Sequence, residues 1–396
     1  MKSEAGVVGS TGPVQGVDRP SGTVYTRLGA LPRGSFLGPG CPGQISGCTT
    51  PASGTGCSVA TTYLGVLDRG DPLYDVLALR IYPELREPVF HVERLSRQRL
   101  VYRYREAQTN RAVVGKFFDP RDRDETRVTR IKSEYRNLIR LRYLGLNTHP
   151  HSVVNPLCRE ERIGLALAEE HVGGRDLDHY LRRAAWSGAQ DALDRVLDRL
   201  ADFLQRLHSR SAPTNGAHGR MTARLDDAGE YFAKLVTKLE RQGLLDLHAV
   251  AAYLGLRDRW LAGSRMLARA VTVHGDATPT NFLFPTAEDV VAIDLERMKA
   301  ADRAYDLGMV CGELKHAFLW RTGRRDLSES FIGRFLRRYA GHDPDPADAF
   351  RAITYRIPFY MALTELRIAR NTWLDWEHRR RLVREAGACL IWGLRL

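Results

Sequence analysis

Apolar and polar residues begin to alternate regularly at about residue 88, in the segments VFHVERL, LVYRYREA and AVVGKFF. Period-two patterning broken by Gln108, Thr109 and Asn110 predicts short antiparallel strands joined by turns. The period then changes. In DPRDRDETRVTRIKSEYRNLIRLRYLG, Ile131, Tyr135, Leu138 and Leu141 recur at helical spacing up to Gly145, which predicts a helix after the third strand. A loop with Pro150 and Pro156 leads into IGLALAEE, a further strand ending in acids, and then into the Gly173–Gly174 break. Beyond it the pattern is mostly helical: Leu193, Val196, Leu197, Leu200, Leu204 and Leu207 share one face of a helix that closes near His208. Two strand-like pieces interrupt this region, VTVHGD leading to NFLF, and DVVAIDLE, before helical spacing resumes at about Leu307. The expected class is α+β, with a small antiparallel sheet and one helix over residues 63–170 and a larger, mostly helical lobe over 171–396.

Residues 1–62 lack this periodicity and are rich in Gly, Ser, Thr and Pro, so burial cannot repay the entropy of ordering them. They are expected to form a disordered tail. Cys41, Cys48 and Cys57 lie there without a histidine, too few ligands for a four-coordinate zinc site. Cys158, Cys311 and Cys389 are far apart in apolar surroundings and read as buried reduced thiols. A length of 396 residues suits two lobes and an appendage, and 43% hydrophobic with 27% charged residues leaves ample material for a core. No run approaches the roughly 18 apolar residues that cross a bilayer, and MKSEAGVVGSTGPVQG has no apolar centre for a signal peptide. A cytoplasmic protein without a membrane partner is expected. The net charge of +12 invites a nucleic-acid reading. However, the arginines alternate with acids on helical stretches such as GAQDALDRVLDRLADFLQRLHS, the composition of a solvated face, so nucleic acid is not expected as the primary partner.

The chemistry concentrates in VHGDATPTNFLF, VVAIDLE and DRAYDLG. Asp276, then an amide at Asn281, then a second carboxylate at Asp294 closing an apolar strand, supply what phosphoryl transfer needs: one group for an attacking hydroxyl and oxygen ligands for magnesium. Taken singly, His274 reads as a core histidine, Asp276 and Asn281 as turn residues, and Asp294 as a strand terminus. Their order and spacing favour a shared site.

These motifs resemble those of the aminoglycoside phosphotransferase and choline kinase-like family, relatives of protein kinases, with ordered landmarks over about residues 88–310. The family's His-Gly-Asp catalytic loop with its following Asn resembles His274, Gly275, Asp276 and Asn281. Its Ile-Asp-Trp-Glu metal motif resembles Ile293, Asp294, Leu295 and Glu296, with Leu in place of Trp. Its later Asp-Leu, which braces the catalytic loop, resembles Asp306 and Leu307. The resemblance implies a bilobal protein-kinase-like fold that uses ATP and Mg2+. In it Asp276 is the base, His274 orients the loop, and Asn281 and Asp294 hold the metal. Lys116 on the strand AVVGKFF, paired with Glu134, then binds the nucleotide phosphates. Adenine is placed at a hinge near Glu169, Glu170, His171 and Val172. The loop Leu95–Arg99, which in protein kinases is glycine-rich, contains no glycine here, so Ser96 and an arginine are expected to cover the triphosphate.

Family substrates lie between the catalytic loop and the C-terminal helices. From Arg297 to Leu396 there are 19 Lys and Arg against 12 Asp and Glu, an unfavourable setting for a polycationic aminoglycoside. Tyr355, Tyr360, Glu365, Arg367, Trp373 and Trp376 either wall a pocket there or, as aromatics at helical spacing usually do, form core. The expected activity is phosphorylation of a hydroxyl on a small molecule such as an antibiotic, sugar or nucleoside. The alternatives are a kinase acting on Ser or Thr of a peptide, drawn by the basic lobe, and a non-catalytic nucleotide-binding scaffold.

Overall fold

The computed structural model describes residues 61–96, 99–119, 123–210, 225–263 and 268–395. Residues 1–60 of the expected tail, with Cys41, Cys48 and Cys57, lie outside the described residues, while Thr62 at its end already belongs to a strand.

The chain opens with β1 (Thr62–Val66), the short helix α1 (Pro72–Val76) and a single wide turn over Leu77–Ile81. Strands β2 (Phe90–Arg94), β3 (Val101–Glu106) and β4 (Ala112–Phe117) follow, and then helix α2 (Glu125–Tyr143). Next come β5 (Asn147–Thr148), β6 (His151–Val153), β7 (Pro156–Glu160), β8 (Leu165–Glu170) and β9 (Arg175–Asp176). Strands β1-β2-β3-β4-β8-β7 form one sheet in that order, every pair antiparallel, as the alternation predicts. Phe90, Tyr104, Val113, Phe117 and Leu165 close a small core under it with Leu73, Leu77 and Tyr82.

Four helices lead on from this sheet: α3 (Leu177–Ser187), α4 (Gln190–Arg210), α5 (Leu225–Arg241) and α6 (Leu247–Ala262). Asp176 starts α3 by accepting the His179 amide at 2.9 Å, an N-cap that satisfies one orphan donor of the first turn. The leucine stripe of α4 is fully buried. Between α6 and the final helices lie β10 (Ala270–Val273), β11 (Phe282–Phe284), β12 (Val290–Ala292) and β13 (Lys299–Asp302). β10 pairs with β13, while β11 and β12 join a second sheet ordered β5-β6-β12-β11-β9. The remainder is α7 (Ala304–Thr322), α8 (Glu329–Ala340), α9 (Pro346–Thr354), α10 (Ile357–Ala369) and α11 (Trp376–Gly393). Helix α10 is buried along nearly its whole length against α7 and α11. No helix among the described residues is long and apolar enough to cross a membrane. Cys158, Cys311 and Cys389 are free and buried.

Candidate active site

Strand β4 is central in its sheet, with Val113 and Val114 buried before Lys116 and Phe117 buried after it. The Lys116 ammonium reaches Glu134 Oε1 on α2 at 2.6 Å and Glu169 Oε1 on β8 at 3.3 Å. Burial works against its charge, but Glu134, Glu169 and Asp294 outweigh that and hold the ammonium well above the ordinary lysine range. Burial pushes the Glu134 and Glu169 carboxyls up, against the pull of Lys116. The expected pair is present, and Glu169, expected only as hinge backbone, joins it through its side chain.

The loop after β10 is held from below. Asp306, fully buried on the first turn of α7, accepts the amides of His274 at 2.6 Å and Gly275 at 3.0 Å and faces His208 Nε2 of α4 at 3.1 Å. Burial alone would raise its pKa, but these bonds, that of His208 first, lower it below the usual carboxylate range. Gly275 is required here: its φ is +81°, and an added Cβ would lie 2.1 Å from the Arg297 carbonyl oxygen. His274 is fully buried. Its Nε2 faces the Ile293 carbonyl at 3.1 Å and its Nδ1 the Asp276 amide at 3.3 Å, so one tautomer with the proton on Nε2 satisfies both contacts. Both ring nitrogens are thereby occupied in shaping the loop. Asn281 donates Nδ2 to the Asp276 carbonyl at 2.9 Å, and its own carbonyl accepts the Ile293 amide at 3.0 Å, tying the loop to the end of β12.

Asp294 follows β12 in the left-handed conformation, φ 59° and ψ 54°, uncommon for a residue with a side chain. Its Oδ1 is buried and has no hydrogen-bond partner among the described residues. Ligand oxygens of Glu134, Asp294 and Glu296 all lie within 4.8 Å of one another. Since Glu134 is bonded to Lys116, the unpartnered Asp294 oxygen is the group best suited to a hard cation, with Glu296 beside it, and the donor set is all oxygen. Arg99, after the β2–β3 turn, stands against the same carboxylates, 3.1 Å from Glu296 and 3.7 Å from Asp294.

These groups line one cleft of about 570 Å³ between the β4 sheet and the β11–β12 hairpin, with Ser96, Glu170 and Val172 also on its wall. Asn281 and Asp294 face Lys116 across it. The Glu170 and His171 amides are taken by Asn155 and Ala112, which leaves Val172 as the hinge position whose N–H has no partner among the described residues. Asp276 itself lies outside this wall. Arg367 Nη1 of α10 donates to Asp276 Oδ1 at 2.9 Å and Arg367 Nη2 to Glu313 at 2.7 Å, while Arg297 Nε stands 3.4 Å from Asp276 Oδ2.

Of the six residues considered as a pocket wall, Arg367 joins the catalytic loop. Tyr360 and Glu365 are buried, and Tyr355, Trp373 and Trp376 are exposed. Arg297, Glu313 and the pairing of His208 went unread because each is an ordinary residue of its own segment. Only the carboxylate inside the apolar LALAEE strand carried a local sign, a charge where β8 is otherwise buried.

An antiparallel sheet packed beside a helical body, with a strand lysine facing Asn281 and Asp294 across one cleft, defines a kinase-like fold. Residues 91–350 match the family model described as the phosphotransferase enzyme family, and the chain belongs to that family. Among solved structures, the streptomycin-ATP-APH(2")-IIa ternary complex is similar at a TM-score of 0.50 and 14% identity, covering 81% of this chain and 97% of that one. The Plasmodium vivax ethanolamine kinase is similar at 0.50 and 12% identity, over 81% of this chain and 88% of that one. At such identities the likeness bears on fold alone. No curated protein sequence matches the chain.

Proposed function

We propose that this phosphotransferase moves the γ-phosphoryl group of ATP to a hydroxyl of a small molecule, with Asp276 accepting the hydroxyl proton. The observation that carries the reading is the single cleft in which Lys116, Asn281 and Asp294 meet, with Asp276 bonded to Asn281 at its edge. Lys116, fixed by Glu134 and Glu169, holds the α- and β-phosphates as a positioned point charge. Val172 offers its backbone to the adenine at a hinge between lobes at 63–170 and 171–396, beside Glu170. Ser96 and Arg99 take the place of a glycine-rich cover. Asn281 and Asp294 would hold magnesium, which when bound supplies charge neutralisation across the transferred phosphoryl. His274 and Asp306 keep the loop rigid, so that Asp276 is presented without reorganisation. The three described thiols, all reduced and buried, suit work in the cytoplasm.

The test is magnesium-dependent ATP consumption by the full chain across hydroxylated small molecules and Ser/Thr peptides, with Asp276→Ala alongside. Loss of a proton acceptor lowers turnover by about 10²–10⁴-fold. Turnover with a peptide alone would replace the small-molecule reading, and equal rates in Asp276→Ala would remove Asp276 from the chemistry.

A further inference from the structure

Helices α7 and α10 approach closely where glycines leave room. A Cβ on Gly308 would lie 2.4 Å from that of Tyr360, and one on Gly312 2.8 Å from that of Thr364. This contact sets Glu313, next to Gly312, opposite Arg367, which shares the Thr364 face of α10. Arg367 Nη2 donates to Glu313 Oε1 at 2.7 Å and Nη1 to Asp276 Oδ1 at 2.9 Å, one planar guanidinium forked between two carboxylates. Arg367 is 16% exposed and Glu313 12%. Burial pushes the Glu313 carboxyl up against the pull of Arg367, and Asp276 and Asp178 add to the rise. Among the described residues, Arg367 is the one ion-pair partner of Glu313. Asp276 Oδ2 stands otherwise: Arg297 Nε lies 3.4 Å away without a hydrogen bond, and no described residue donates to this oxygen.

If Arg367 only tied α10 to α7, its bond to Glu313 would suffice. Its second nitrogen is instead spent on an oxygen of the base. A mostly buried guanidinium paired with Asp276 alone would be left without a counter-charge once Asp276 took a proton, a cost that opposes the transfer. Glu313 removes that cost, because Arg367 stays paired before and after. Arg297 is provided for in the same way, 3.8 Å from Glu296. Resting on the phosphotransfer reading above, we propose that Arg367 and Glu313 are positioning residues for the base. Arg367 fixes Asp276 through Oδ1 so that Oδ2 faces the acceptor, and Glu313 keeps Arg367 compensated when Asp276 is neutralised. In the reaction the acceptor oxygen bonds to the γ-phosphorus, the bond from that phosphorus to the β–γ bridging oxygen breaks, ADP leaves, and the hydroxyl proton passes to Asp276 Oδ2.

The experiment compares the full chain with Glu313→Gln, Arg367→Gln and Arg367→Lys, each also combined with Asp276→Ala. Magnesium-dependent ATP consumption is measured with water and with the hydroxylated panel as acceptors. Glu313→Gln and Arg367→Gln should lower kcat by about 10–100-fold. The KM for ATP should stay within about 2-fold of wild type, the split expected when only the transition state is affected. Arg367→Lys, a point charge without the fork, should recover part of the rate. On Asp276→Ala the same substitutions should change nothing further, because they act through that residue. Hydrogen exchange gives a readout that needs no turnover. The Asp276, Thr278 and Asn281 amides are bonded within the loop at 3.3, 2.7 and 3.0 Å, and they should exchange faster in Glu313→Gln and Arg367→Gln while α4 keeps its protection. If Arg367→Gln does not fold, the near-isosteric Glu313→Gln carries the test. Faster loop exchange with equal rates in wild type and Asp276→Ala would uphold the positioning of the loop and sink the phosphotransfer role of Asp276. If wild type consumes no ATP, exchange alone decides. Wild-type rates and exchange in both Gln variants overturn the proposal, as do undiminished effects on Asp276→Ala or faster exchange spread through α7 and α10.

Discussion

Asp306 makes no contact with the cleft, yet three groups converge on it: two loop amides and His208. Asp306→Ala would leave the His274 and Gly275 N–H groups buried without acceptors, at about 1–3 kcal/mol each. Urea unfolding should register that loss, and turnover should fall as Asp276 loses its fixed position while ATP affinity changes little. Lys116→Met acts differently. It removes the one cation between Glu134 and Glu169, two carboxyls that burial already pushes toward protonation, so they can answer by taking up protons rather than staying charged. Calorimetry should therefore show ATP binding weakened by about 10-fold or more with the fold retained. Unchanged ATP affinity would take Lys116 out of the site.

At the scale of elements, α4 is secured by packing. Leu200 is fully buried on its stripe, and Leu200→Ala should cost about 2–5 kcal/mol, read as a lower urea midpoint with an unchanged slope. Helix α10 is tied to β13 by charge: Arg356 Nε meets Asp302 Oδ2 at 2.7 Å with both residues buried. Arg356→Ala strands that carboxylate and should cost about 3–5 kcal/mol. Elements with a strong apolar pattern were legible in the sequence, since α4 buries one face and the apolar runs of β4 and β8 are buried almost throughout. What escaped had no such face. Strand β1 is largely exposed at the sheet edge and α1 is five residues long, so neither imprints a period on its sequence. The same distinction runs through the site. His274, Asp276, Asn281 and Asp294 fall within 21 residues on loops and strand ends, where unusual residue types stand out. Arg367 lies 91 residues from Asp276 and Arg99 197 from Glu296. On a helix or turn rich in arginine, only tertiary folding shows which guanidinium meets a catalytic carboxylate.

For the molecule as a whole, pH should act through groups buried in the helical part. His316 Nδ1 and His378 Nε2 lie 3.0 Å apart, and burial lowers both, His378 to about 4 and His316 well below the usual histidine range. Above about pH 6.5 both are neutral in folded and unfolded chains alike and their stabilisation is complete. As pH falls from there toward 4, the unfolded chain takes protons that the folded chain refuses, and stability declines. Thermal unfolding at pH 7.5 and pH 5 should show a lower Tm in acid, with a smaller difference in His378→Asn. Overall stability need not track usefulness, however, and Asp294 is where the two part. Its left-handed backbone costs an ordinary side chain about 1–2 kcal/mol, a strain that glycine does not feel. Asp294→Gly should raise Tm slightly while abolishing magnesium-dependent turnover. A search for hardier variants of this protein by heat alone would therefore enrich the substitution that silences it.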